Sequence, residues 1–169
     1  AYISADTDKV VVHLSNGDGT YQAGVSYEVG ESPSDLLASD LTGDGKVDLA
    51  VTSGDDGKLT VLLGIGDGTF GASSVGDGTY QAKLSFVGGD IVQSIATADI
   101  DGDGNLDIIT GSRNDQAVNI LLGNGDGTYK AKLSFNGGSR VESVSVADIN
   151  GDGNLDVISG SLNDDKVNV

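Results

Sequence analysis

Three short stretches of this chain carry oxygen donors at the same spacing: DLTGDGKVD from Asp40, DIDGDGNLD from Asp99 and DINGDGNLD from Asp148. Calcium is a hard cation that takes about six to eight oxygens, and acidic loops supply them at alternate positions, with glycine where the backbone must curl. The second loop fits that chemistry best. Asp99, Asp101 and Asp103 stand at positions 1, 3 and 5, the carbonyl of Asn105 falls at position 7, and Asp107 at position 9 closes the shell. The third loop puts an amide at position 3: Asp148, Asn150, Asp152, the carbonyl of Asn154, and Asp156. The first offers Asp40, Thr42, Asp44, the carbonyl of Lys46, and Asp48, so it has a hydroxyl at position 3 and a cation at position 7. Ca2+ is the expected ion, and the first loop is expected to bind it most weakly because ligand charge tunes affinity.

Asp and Gly are ordinary turn formers, and one such stretch would say little. Three in register, each opening as Ser-Asp or Ala-Asp and closing as Asp followed by an apolar run, favour a metal site. The stretches share the opening of the helix-loop-helix calcium motif but lack its glutamate at position 12, and apolar strand residues flank them, which implies hairpin loops. A second motif, GDGT followed by Tyr or Phe, occurs at Gly17, Gly66, Gly76 and Gly125. Runs such as Asn16-Gly17-Asp18-Gly19 and Asn124-Gly125-Asp126-Gly127 suit tight hairpins needing positive φ, so a structural role is expected of them. Neither a helix nor a Lys-Ser/Thr pair follows, as phosphate cradling would require.

The elements that position these loops follow from their spacing. Asp99 to Asp148 is 49 residues and Asp40 to Asp99 is 59; Gly17 to Gly66 and Gly76 to Gly125 are both 49. The middle unit therefore holds a ten-residue local duplication, residues 66–75. The first twelve residues, AYISADTDKVVV, align without gaps on AVTSGDDGKLTV from Ala50 and on the final ISGSLNDDKVNV, so the chain is three whole repeats plus an overlap. Repeats of this length mark solenoids, propellers or arrays.

Each unit reads as four short strands rich in Val, Ile and Leu, bounded by Gly, Asp and Asn. Around the third unit they are 142–147, 155–159, 118–122 and 132–135. The expected fold is all-β, with propeller blades of four antiparallel strands in a single repeat domain over residues 1–169. Its expected divisions are a partial blade at 1–34, a repeat at 35–92 with the insertion, a repeat at 93–141, and a partial blade at 142–169. The N-terminal part is expected to supply the third and fourth strands of a blade (9–14 and 24–29) and the C-terminal part the first and second (141–147 and 155–159). About four to eight blades are needed to close a ring. Three repeats imply head-to-tail pairing of copies, as a closed ring or an open filament, or other repeats of a longer chain.

Composition bounds the partners. A formal charge of −17 in 169 residues repels nucleic acid and anionic membranes before contact, so no nucleic-acid partner and no membrane insertion are expected. Many of the aspartates sit inside the turns, where a divalent cation would relieve their mutual repulsion. With no cysteine, neither disulfides nor thiolate metal sites are available, and calcium is the expected staple. No apolar run approaches the roughly 20 residues of a membrane span, and without a signal peptide or initiator Met the chain reads as a processed or excised piece. Sparse aromatics and the lack of Trp argue against an aromatic-lined pocket. The single histidine, His13, stands where other units have Leu62 or Leu121 and is expected to be a packed or edge imidazole without chemistry.

The pattern D-x-D/N/T-G-D-G-x-x-D with an apolar strand after it, then V-x-x-L-L-G-x-G-D-G-T-Y/F, resembles the FG-GAP and VCBS repeats of integrin-α-like propellers over nearly the whole chain. The resemblance implies a calcium-bound β-propeller, usually extracellular or on a cell surface, serving adhesion, carbohydrate binding or display beside another domain. It carries the metal ligands onto Asp99, Asp101, Asp103, Asn105 and Asp107 and the matching positions of the other two loops. Propellers of this family usually have seven blades.

Three functional classes are compatible with these residues. The leading one is a calcium-stabilised structural or adhesion module that self-associates through its incomplete terminal blades. A carbohydrate-binding propeller is the second, with 30–35, 87–91 and 136–141 forming the face opposite the calcium loops and a protein or glycan as ligand. The third is an accessory or hydrolytic domain of a larger secreted enzyme. No His, Cys or Ser constellation supports catalysis and the carboxylates are committed to turns, so no enzymatic activity is expected.

Overall fold

A computed structural model describes residues 1–71, 73–75, 79–81, 84–163 and 166–168. It is all-β, and among the described residues the one helical element is a 3-10 turn at Ala5–Thr7. The first sheet contains β1 (Tyr2–Ser4), β2 (Lys9–Val12) and β3 (Val25–Glu28). The second runs β4 (Pro33–Ser39), β5 (Asp48–Ser53), β6 (Lys58–Leu62) and then β9 (Leu84–Val87), with β7 (Ser73–Val75) and β8 (Thr79–Gln81) forming a separate ladder between β6 and β9. The third sheet is β10 (Val92–Ala98), β11 (Asp107–Ser112), β12 (Ala117–Leu121) and β13 (Leu133–Asn136). The fourth is β14 (Val141–Ala147), β15 (Asp156–Ser161) and β16 (Lys166–Asn168). Every pairing is antiparallel. The two complete sheets have the expected strand order of a blade.

The terminal sheets differ from the two-strand halves expected. Each has three strands, because Tyr2–Ser4 pairs with Lys9–Val11 and Lys166–Asn168 pairs with Ser159–Ser161. The physical reason is that an edge strand leaves its N–H and C=O groups unpaired, so even three residues of strand-compatible sequence add to it. Residues 76–78, the first three of the Gly76 copy of the hairpin motif, lie outside the described residues. The ten-residue duplication contributes β7 to the extra ladder.

Blades stack through their faces, and alternation along each strand decides which neighbour a residue meets. Leu49 and Val51 of β5 pack back against Val10 of the first sheet and Val29 just after it. Leu59 and Val61 of β6 pack forward against Ile95, Ile108 and Leu121. In the third sheet Ile109, Val118 and Ile120 meet Val144, Val146 and Val157. With partners on both sides, β5 and β11 are buried at every position, which is why their sequences DLAVTS and DIITGS hold no exposed charge. The first strand of each unit lies closest to its neighbours, β10 packing beside both β4 and β14. A bulge near the start of these strands, at Pro33/Asp35, Val92/Ser94 and Val141/Ser143, turns side chains across the gap. Asp35 accepts the Ile95 N–H at 3.1 Å, and Ser94 accepts that of Val144 at 3.2 Å.

Candidate metal centre

Each acidic loop joins the first two strands of its blade, and the same hydrogen bonds fold all three. The carboxylate at position 1 accepts the N–H groups of positions 5 and 6. These are Asp44 and Gly45 on Asp40, Asp103 and Gly104 on Asp99, and Asp152 and Gly153 on Asp148, at 2.9–3.2 Å. The carboxylate at position 5 accepts the N–H of position 7: Lys46, Asn105 and Asn154. At position 9, Asp48, Asp107 and Asp156 accept the N–H of position 2, from Leu41, Ile100 and Ile149. Positions 4 and 6 must be left-handed for the chain to coil this tightly. In the second loop Gly102 and Gly104 have φ of +74° and +89°, with nothing near the place of an added Cβ, so they are glycine for backbone freedom and not for space.

Folding the loop this way gathers donors. Carboxylate oxygens of Asp99, Asp101 and Asp107 lie within 4.8 Å of one another. Two oxygens bound to one calcium at about 2.4 Å each are at most about 4.8 Å apart, so the spacing fits a shared ion. Asp103, also expected as a ligand, is not in this group; its Oδ1 accepts the Asn105 N–H, and Lys130 Nζ stands 3.8 Å from Oδ2 and 3.5 Å from Asp101. In the third loop the Asn150 amide donates to Asp152 Oδ2 at 3.1 Å. In the first, Lys46 Nζ rests 2.7 Å from Asp44 Oδ2. Thr42 Oγ1 lies close enough to Asp44 to help lower its pKa, yet it is shielded from solvent and makes no hydrogen bond of good geometry.

The residue at position 9 does more than its place in the spacing suggested. Asp107 is fully buried, and its second oxygen accepts the N–H of Gly123 at 2.8 Å; Asp48 does the same for Gly64 at 2.8 Å. Gly64 and Gly123 open the GDGT hairpins, so this carboxylate locks the acidic loop to the hairpin between the third and fourth strands. Those hairpins are structural, as expected. Asp18, Asp67 and Asp126 each accept both the N–H and the hydroxyl of the threonine two residues on, and φ is positive at both glycines of each described copy. The packing leaves no room at the junction: a Cβ on Gly123 would collide with the Leu106 carbonyl oxygen, and one on Gly64 with that of Val47. Gly123→Ala is therefore expected to lower stability by about 1–3 kcal/mol, as overpacking against rigid backbone does, measured by urea unfolding.

Protonation follows the same contacts. Asp103, Asp148 and Asp152 are held below the usual carboxylate range chiefly by backbone N–H groups, and Asp44 chiefly by Lys46. Asp48 goes the other way, raised by burial against its two N–H bonds. A lowered folded pKa stabilises above the unfolded value of about 3.9 and is lost as pH falls through the folded value, whereas a raised one gains stability as pH falls. With four lowered loop groups against one raised, the metal-free chain is expected to melt at progressively lower temperature below about pH 4. A melting temperature that climbed steadily from pH 5 to pH 3 would contradict this balance.

His13 is partly exposed, stacks on Tyr2 with ring centroids 5.9 Å apart, and has Nδ1 3.0 Å from the Gln22 carbonyl. Among the described residues no helix is long and apolar enough to cross a membrane.

The FG-GAP-like repeat family matches residues 40–110 and again 99–159, which together take in more than half of the chain and all three acidic loops. The chain belongs to this family. The two FG-GAP matches begin at Asp40 and Asp99, position 1 of the first and second loops. Each match runs from one acidic loop through the next, the first joining the loops at Asp40 and Asp99 and the second those at Asp99 and Asp148. No curated protein matches the chain.

Proposed function

We propose that this FG-GAP repeat chain is a calcium-stabilised structural or adhesion module of an extracellular or cell-surface protein, and that it assembles with further blades, either those of another copy or other repeats of a longer chain. The observation that carries the calcium reading is the convergence of Asp99, Asp101 and Asp107 in a loop whose hydrogen-bond frame recurs twice more. Asp99, Asp101, Asp103 and Asp107, with the Asn105 carbonyl, would hold the ion in the second loop. Asp148, Asn150, Asp152, Asp156 and the Asn154 carbonyl would hold it in the third. Asp40, Thr42, Asp44, Asp48 and the Lys46 carbonyl make the first and weakest site. Calcium's part is to neutralise the gathered carboxylates and tie loop to strand; the chain's own part is the backbone frame that presents them. No chemistry on a substrate belongs to this reading. Calorimetric titration of Asp44→Ala, Asp103→Ala and Asp152→Ala is the test, with stoichiometry expected to drop in the latter two; unchanged stoichiometry in all three would overturn the site assignment.

A second reading, glycan binding, is favoured by one feature of the opposite end. Arg113 and Arg140, the only two arginines of the chain, converge there beside Asn114, Gln116 and Asn163 in a cavity of about 330 Å³. Glu142 accepts both guanidinium groups, at 2.7 and 2.9 Å, which lowers its pKa and ties the third blade to the fourth sheet. Binding on a glycan array, lost with Arg140→Ala, would support this reading over the first.

A further inference from the structure

The faces between blades share an aromatic clasp. Tyr27 of β3 meets Phe70 of the next hairpin edge-on, with centroids 5.5 Å apart and rings at 86°, and Phe86 of β9 meets Tyr129 in the same way at 5.1 Å and 83°. One partner stands on the fourth strand of a blade and the other on the hairpin of the blade after it. By repeat position, Tyr27 and Phe86 continue to Phe135, and Phe70 and Tyr129 continue back to Tyr21. Among the described residues Phe135 and Tyr21 have no such ring partner, and they are 55% and 66% exposed respectively.

A socket is already built around the first of them. A cavity of about 300 Å³ lies between the third and fourth sheets, lined by Val118, Ile120, Phe135, Val157, Ser159 and Asn168 among others. The repeat counterparts of Val118, Ile120, Phe135 and Val157 are Leu59, Val61, Phe86 and Ile108. Those four belong to the cluster against which Tyr129 packs. Tyr21, at the other end of the molecule, is presented on its hairpin as Phe70 and Tyr129 are, through the bridges Ser15–Tyr21, Gly64–Phe70 and Gly123–Tyr129.

We infer that the cavity at Phe135 is the socket for Tyr21 of a second copy of this chain. This rests on the self-assembly reading above and names its contact. The hairpin that carries Tyr21 joins β2 to β3, and β2 is the repeat counterpart of β16. The incoming β2 and β3 take the place of β16, giving a four-strand sheet of β14 and β15 from one copy and β2 and β3 from its partner. Three-residue β16, whose Val167 is 70% exposed, and three-residue β1, which pairs with β2 and aligns on residues 159–161 of β15, are the duplicates that yield. The contact is heterologous, socket on one end and tyrosine on the other, so it propagates into a ring or a filament. Edge-on aromatic packing supplies the attraction, and the two short ladders given up, β1 on β2 and β16 on β15, are replaced by one pairing of β2 with β15.

The chain has no cysteine, so single-cysteine variants report without background. Tyr21→Cys and Phe135→Cys are made separately, mixed in calcium buffer and oxidised, and Tyr21→Ala and Phe135→Ala are sized by light scattering beside the unaltered chain. Both positions are exposed in a single copy, so the variants keep its packing. The expected result is a mixed disulfide between the two variants in excess of either homodimer, with association weakened tenfold or more by each alanine. Assembly that persists undiminished in the alanine variants, or homodimeric disulfides alone, would overturn the socket and leave assembly standing through another surface. An unaltered chain that stays a folded 17 kDa monomer at micromolar concentration would overturn both.

Discussion

Asp107→Ala should be the most damaging single substitution in the acidic loops, with or without calcium. The residue is fully buried, and its two oxygens accept the N–H groups of Ile100 and Gly123. Alanine leaves both donors without a partner, at about 1–3 kcal/mol each, so a loss of roughly 2–6 kcal/mol is expected from a domain whose total stability is on the order of 5–15 kcal/mol. Asp103→Ala, at an exposed position, should cost under about 1 kcal/mol in the metal-free chain. Urea unfolding in EGTA compares the two. Equal and small losses would show that the Asp107 lock between loop and hairpin does not carry stability.

Removing calcium should lower the melting temperature by several degrees or more. An ion that binds only the folded chain stabilises it by about 2.7 kcal/mol per site when present at 100 times its dissociation constant. For a chain of this size each kcal/mol moves the midpoint by roughly 2–4 °C, so two occupied loops correspond to a shift of about 10–20 °C. There are no disulfides to share the task. Screened repulsion adds to the effect at low salt, because the chain carries a formal charge of −17. The shift should therefore shrink, without vanishing, as sodium chloride is raised. A scan in excess EGTA that overlays the scan in calcium, after the metal is confirmed gone, would refute the prediction.

The repeat was legible because it is written in residue types that the backbone demands. Gly102 and Gly104 recur as Gly43 and Gly45 and as Gly151 and Gly153, all at positive φ, and the strands between them begin and end within two residues of the apolar runs. Tyr2–Ser4 was hidden by its length, although it aligns on Val51–Ser53, which lie in the buried strand β5. The double role of Asp107 was hidden for a different reason. Its partner is a backbone N–H, which has no residue signature, and the signal available was the constant 16-residue step from Asp48 to Gly64 and from Asp107 to Gly123. Asp103 was placed with the converging carboxylates by its spacing alone. In the metal-free loop its Oδ1 accepts the Asn105 N–H and Lys130 Nζ stands 3.8 Å from its Oδ2, contacts that the spacing does not encode. The Arg113–Glu142 pair occurs once and not in every repeat, so no periodic reading could find it.

On the proposed reading, calcium stabilises this chain through the acidic loops and not merely by screening an acidic surface. The direct test is the thermal melt of the double variant Asp103→Ala/Asp152→Ala, recorded in calcium and in EGTA at constant ionic strength beside the unaltered chain. Both replaced carboxylates are exposed, so the EGTA melts of the two proteins should nearly coincide. In calcium the unaltered chain should melt well above its EGTA value, while the double variant moves by a few degrees at most. A double variant that keeps the full calcium shift would contradict the account.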